Sequence, residues 1–179
     1  MQKAKIHIVS FSVFDHELLK NIADAAGKEF VTNVIFSEGH IDLSDYFDPS
    51  RGQYQGNELL KIIEDDFSDL EDKTIGLFSV DLFIPILTYI YGQAYLGGNS
   101  AIASSHRLSN ARYGLKEDLD LFRDRMAKEV IHELGHTFGL IHCYNPKCVM
   151  RSSTYVEEID QKNKTLCSSC KSKYLNPLL

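Results

Sequence analysis

Eleven residues constrain this chain more than any others: His132-Glu133-Leu134-Gly135-His136-Thr137-Phe138-Gly139-Leu140-Ile141-His142. Histidines four apart on a helix project from one face, one turn apart, so both imidazoles can reach a single metal ion. Glu133 is displaced around the helix from His132, where it serves as a base toward water in an open coordination position and not as a ligand. Gly139 can take the left-handed conformation that ends a helix and reverses the chain, and that turn returns His142 as a third ligand. Any fold built on this segment must therefore present one helix face and its exit loop to a common point. The alternative is three unrelated histidines, yet the pattern should arise by chance in only about one chain in 10⁵ of this length. His16-Glu17-Leu18-Leu19-Lys20 starts the same way and lacks the second histidine. His16, His7, His40 and His106 read as surface or hydrogen-bonded side chains.

Three neutral imidazole nitrogens leave tetrahedral zinc one open position, the arrangement of a catalytic site. Zinc lowers the pKa of bound water to roughly 7 and polarises a carbonyl, so amide hydrolysis by zinc-bound water, with Glu133 as general base, is the expected chemistry. Other first-row ions could use the same donors.

All four cysteines fall in the last forty residues, as Cys143, Cys148, Cys167 and Cys170. The C-x4-C-x18-C-x2-C spacing ends in the short pair of a zinc knuckle, and four thiolates make a closed structural shell. Disulfides, iron–sulfur ligation and free thiols remain open alternatives on residue count. Metal is favoured because the N-terminal stretch around Ile6-His7-Ile8-Val9 alternates like a strand and does not run solid like a signal peptide. The expectation is thus two zinc ions per chain, one catalytic and one structural. His142 and Cys143 are adjacent and would serve different ions, so losing the cysteine-bound zinc should disturb His142.

With 179 residues the chain can bury a core without disulfides. A net charge of −6 opposes a polyanionic partner, and nucleic acid is not expected. The apolar segment from Leu82 to Leu96 is broken by Pro85, Gly92 and Gln93, so no membrane partner is expected either. A cytoplasmic monomer acting on peptide or protein substrates follows.

Pattern predicts strands at Ile6–Phe11, Phe30–Phe36 and Lys73–Val80, with helices at Asp15–Ala26, stopped by Gly27, and from Asn57 to about Phe67. The region from Asp48 to Gly56 reads as loop. The β-α-β-α-β order favours parallel pairs covered by helices. Tyr89–Leu96 and Ala101–Ser105 read as antiparallel strands around Gly97-Gly98-Asn99, the first at a sheet edge. A long helix from about Lys116 to Phe138 carries the histidines, and the remainder reads as loop-rich.

The eleven residues resemble the metzincin clan. Their continuation, His142-Cys143-Tyr144-Asn145-Pro146-Lys147-Cys148-Val149-Met150 with Cys167-x-x-Cys170, is similar to the archaemetzincin family. The segment Ser100 to Leu108 also resembles what precedes the active-site helix there. The resemblance implies an α/β (α+β) zincin-like fold. An upper lobe, about residues 1–139, would hold a twisted mixed sheet of about five strands and two main helices. A small irregular lower lobe stapled by zinc, about 140–179, would complete a single catalytic domain over 1–179. It implies zinc peptidase activity, with Met150 as the methionine turn beneath the histidines and an edge strand, here Tyr91 to Leu96, pairing with extended substrate. The aromatic residue usual two positions after that methionine is replaced by Ser152, and nearby Tyr155 is not expected to take its place. A peptide-binding or scaffold protein that keeps both metals with little catalysis is the alternative function.

Overall fold

Alternating apolar side chains give the main sheet two buried faces. In the computed structural model, which describes residues 4–176, that sheet has the order β2-β1-β5-β9-β8. It is built from β1 (Ile6–Ser10), β2 (Val34–Glu38), β5 (Lys73–Phe78), β8 (Gly92–Ala94) and β9 (Ser100–Ser104). The pairs β1/β2, β1/β5 and β5/β9 are parallel, whereas β8 closes one edge antiparallel to β9. Ile6, Ile8, Ile75, Leu77, Ala101 and Ala103 pack with α1 (His16–Phe30) and α3 (Leu119–Thr137) in one core. Phe78 and Ile102, alternating with them, join Leu59, Leu60 and Ile63 of α2 (Gly56–Ile62) and the π-type turn that follows it. The small Ala101 and Ala103 let α3 approach the sheet, which sets the histidine helix against the core.

Several boundaries differ from expectation. Helix α1 does not stop at Gly27 but runs to Phe30 and ends at Val31 in the left-handed region, φ 51°. Burial of Phe30 sustains the extra turn, while a Cβ on Gly27 would lie 3.2 Å from the Thr32 carbonyl. The second strand accordingly starts at Val34, not Phe30. The region from Asp48 to Gly56, expected as loop, holds the end of β3 (Phe47–Asp48) and all of β4 (Gln53–Gln55), part of a second sheet β3-β4-β6-β7 with β6 (Leu82–Ile84) and β7 (Leu87–Ile90). Tyr89–Leu96 is therefore not one strand. The chain leaves the small sheet at Ile90 and enters the large one at Gly92, passing so close to α3 that a Cβ on Gly92 would meet Glu133 Cγ at 2.6 Å. Helix α3 begins after its cap, Asp118, whose carboxylate accepts the Leu121 N–H. Expected to be loop-rich, the last forty residues also contain α4 (Val156–Gln161) and α5 (Ser168–Leu175).

Leu140, Val149, Met150, Val156, Ile159 and Leu166 bury this C-terminal segment in the main core, and polar ties add to the docking. Arg125 on α3, 4% exposed, donates two 2.7 Å bonds to Asp160 on α4 and a 2.8 Å bond to the Leu108 carbonyl. Buried Glu29 accepts the Leu166 N–H, and Tyr174 donates to the Phe30 carbonyl while packing against Phe30 and Phe138. Among the described residues no helix is long and apolar enough to cross a membrane.

Candidate active site

The last turn of α3 and the turn at Gly139 bring the three histidines together. Gly139 has φ +84°, and its N–H reaches the His136 carbonyl while that of Leu140 reaches Gly135. The potential ligand nitrogens of His132, His136 and His142 lie within 4.8 Å of one another. His132 Nδ1–H donates to the Val149 carbonyl at 2.8 Å, and His136 Nδ1–H to the Leu140 carbonyl at 2.7 Å. These acceptors fix the tautomers and turn the Nε2 lone pairs inward. The two Nε2 atoms stand 3.1 Å apart, and with Nδ1 protonated on both rings neither has a proton to share. A cation between them removes the conflict. Zn–N bonds of 2.0–2.1 Å make a tetrahedral edge of about 3.3 Å, so the donor set fits zinc.

Burial lowers the proton affinity of all three imidazoles. The effect is strongest on His132, where the Lys162 charge adds to it. They are thus neutral and ready to coordinate. Exposure rises from buried His132 through His136 to exposed His142, which leaves the site accessible from the His142 side.

Glu133 sits in the same cleft at 5% exposure. Burial pushes its carboxyl well above the usual range, and the neighbouring Glu129 carboxyl, within hydrogen-bonding reach, pushes it further. Burial also raises Glu129, with Lys162 opposing. The cleft, about 350 Å³, is lined by Leu87–Gly92 on one rim and Ser152–Thr154 on the other, with Glu129 and Lys162 alongside the histidines. Tyr155 is 64% exposed and does not line it.

Met150 lies fully buried under this turn. A side chain on Gly135 would run into its sulfur, so the glycine between the two helical histidines is the space that Met150 fills. Its carbonyl accepts the Cys143 N–H at 2.9 Å, joining the floor of the histidine cluster to the residue after His142.

Cys143, Cys148, Cys167 and Cys170 also converge, with sulfurs within 4.8 Å of one another. Cys143 and Cys167 are 3.8 Å apart, beyond the roughly 2.05 Å of a disulfide. The spacing instead matches the tetrahedral edge of about 3.8 Å that Zn–S bonds of 2.3 Å require. Backbone N–H groups approach the sulfurs, from Cys167 to Cys148 at 3.3 Å and from Asn145 to Cys143 at 3.5 Å. Cys167 is drawn down to about 7, chiefly by the backbone N–H of Cys170.

Residues that pattern reading passed over include Glu129, Lys162, Tyr89 and Gly92. Glu129 was discoverable, since it lies four residues before Glu133 on the same helix face. Gly92 was visible only as a break in an apolar run. Lys162 and Tyr89 carry no local signal, because tertiary folding alone brings them to the cleft.

Residues 9–176 match peptidase family M54. The archaemetzincin of Haloquadratum walsbyi is 42% identical over 127 residues, covering 69% of this chain and 72% of that protein. The crystal structure of archaemetzincin from Methanopyrus kandleri superposes with a TM-score of 0.84 at 30% identity, covering 97% of this chain and 94% of that one. A zinc-dependent peptidase from Methanocorpusculum labreanum gives 0.83 at 29%, covering 94% and 99%.

Proposed function

The chain belongs to peptidase family M54, the archaemetzincins, and from that premise we propose that His132, His136 and His142 hold the catalytic zinc while Glu133 handles the proton. It is a zinc-dependent metallopeptidase with a mixed α/β fold. The observation carrying the residue assignment is the convergence of three imidazoles beside a buried glutamate in one cleft. Zinc, when bound, polarises the scissile carbonyl, makes water a stronger acid and favours the ionised form of Glu133. Glu133 accepts a proton from the attacking water and delivers it to the leaving nitrogen, which is general base and then general acid catalysis by one carboxylate. Gly92 lets β8 itself pack against Glu133, and the outer edge of β8 offers backbone pairing to an extended peptide.

Cys143, Cys148, Cys167 and Cys170 hold a second, structural zinc in this reading, which the sulfur spacing supports. Residues 1–179 act as one catalytic domain; the Arg125–Asp160 pair and the Glu29–Leu166 bond tie the C-terminal segment to α3 and α1. The test is cleavage of an unbiased peptide library by the metal-loaded protein. Cleavage that a hydroxamate blocks is expected. Hydroxamate binding without cleavage would leave a peptide-binding scaffold as the function.

A further inference from the structure

The two halves of the cleft differ. Gly92 stands beside Glu133, at the end of the rim that runs back to Leu87. From there toward Leu96 the edge is open, with Tyr95 and Leu96 exposed. Back toward Leu87 the cleft has a second rim, and the Tyr89 hydroxyl donates a 2.6 Å hydrogen bond to the Thr154 carbonyl on it. Each end of this link is held independently. The Arg107 guanidinium lies 4.0 Å over the Tyr89 ring and is fixed by two 2.6 Å bonds to Asp81, while Tyr91 packs edge-on at 5.6 Å. Thr154 is held by Glu158, whose carboxylate accepts the Thr154 and Tyr155 N–H groups at 2.6 and 3.0 Å.

We propose that the Tyr89–Thr154 link is a strap across the leaving-group half of the cleft, which directs this peptidase to bonds near the carboxyl ends of peptides. The proposal rests on the reading of this cleft as the peptidase site. A strap joining both rims stops a continuous chain from being laid in sideways; only a chain end can pass beneath it or stop against it. Tyr89 lies three residues before Gly92 with a bend at Tyr91, so at about 3.3 Å per extended residue the stretch accommodates no more than about three substrate residues. Antiparallel pairing with β8, the more stable orientation, runs the substrate toward its carboxyl end on the strapped side. Charge agrees with that direction. Lys162, 2% exposed, lines the cleft and hydrogen-bonds the Arg151 carbonyl at 2.9 Å, while the Glu129 and Glu133 carboxyls beside it attract its charge. With those two carboxyls hydrogen-bonded to each other, Lys162 is the lining group that attracts a terminal carboxylate and repels a terminal ammonium. Hydrolysis itself is unchanged: water oxygen adds to the carbonyl carbon, the C–N bond breaks, and the short fragment leaves as an amine carrying the proton from Glu133.

The experiment is a ladder of synthetic peptides sharing one amino-side sequence and one cleavable bond, followed by one to eight residues, each ending in a free or an amidated carboxyl. Cleavage products are mapped by mass spectrometry, and binding of the same ladder to uncleaving Glu133→Gln protein is read by fluorescence anisotropy. For the wild type, kcat/KM should fall about fivefold once more than about three residues follow the bond, the factor carried by one hydrogen bond. Amidation should weaken the short members, and Tyr89→Phe should raise the long members relative to the short ones. Indifference to carboxyl-side length, or a limit on amino-side length instead, overturns the strap. If nothing is cut, the peptidase reading fails, while the length dependence of binding still decides the strap.

Discussion

The histidine cluster ends at His142 and the cysteine cluster begins at the next residue, Cys143, yet they are held in opposite ways. The histidine cluster stands on a packed helix: α3 lies against the core, Met150 fills the space at Gly135, and backbone carbonyls orient two of the rings. Packing and hydrogen bonds do much to shape it. The cysteine cluster joins loops and a short helix, where a bound ion would cross-link stretches of chain that no long helix or sheet strand holds together. A catalytic site needs donors organised in advance with one position open, and a structural site needs only donors that can collapse onto an ion.

His136→Ala should break this contrast most severely. Zinc measured by elemental analysis should fall from about two ions per chain to about one, with turnover abolished and the fold retained. A fall to zero would mean that the two clusters form one cooperative unit. Glu133→Gln should cost about 10²–10⁴ in kcat with zinc content unchanged, separating proton handling from metal binding. Cys167→Ser sharpens the comparison from the other side. Because the Cys143 N–H is bonded to the Met150 carbonyl, loss of the cysteine-bound ion should weaken zinc at the histidines by about 10–100-fold in a chelator titration, as loss of an orienting partner does. Unaltered occupancy and activity would show the clusters to be independent.

The smallest effect concerns the rim between them. The N–H groups of Tyr155 and Thr154 hold the Glu158 carboxyl below the ordinary carboxylate range. A depressed folded pKa contributes stability above the unfolded value of about 4.3 and loses it as pH falls through the folded one. Hydrogen exchange at Thr154 and Tyr155 should therefore accelerate in that acid window, and Glu158→Gln should flatten the dependence. Equal acceleration in both proteins would remove Glu158 as the cause.

The histidine site was more legible than its surroundings because its information is local: helical period, a glycine turn and a spacing that leaves few geometries. The parallel core strands were legible from alternation. Boundaries went astray where distant packing overrides local preference, as at Gly27, where buried Phe30 carries the helix past a residue that would ordinarily stop it. Tyr89–Leu96 looked continuous because both halves are apolar; its division between two sheets depends on Glu133, some forty residues away. Lys162 and Tyr89 meet the cleft only through tertiary folding, and their neighbours in sequence give no hint of it.

The seating of Met150 against Gly135 has a chemical consequence. Oxidation to the sulfoxide adds an oxygen and a dipole to a thioether that already sits where a side chain on Gly135 would lie. That oxygen can be housed only by shifting the turn that carries His132 and His136. Burial slows the attack, but once it occurs, metal would be lost although every ligand is chemically intact. A peroxide-inactivated enzyme would then regain zinc when a methionine sulfoxide reductase repairs the sulfur, and not when thiols alone are reduced.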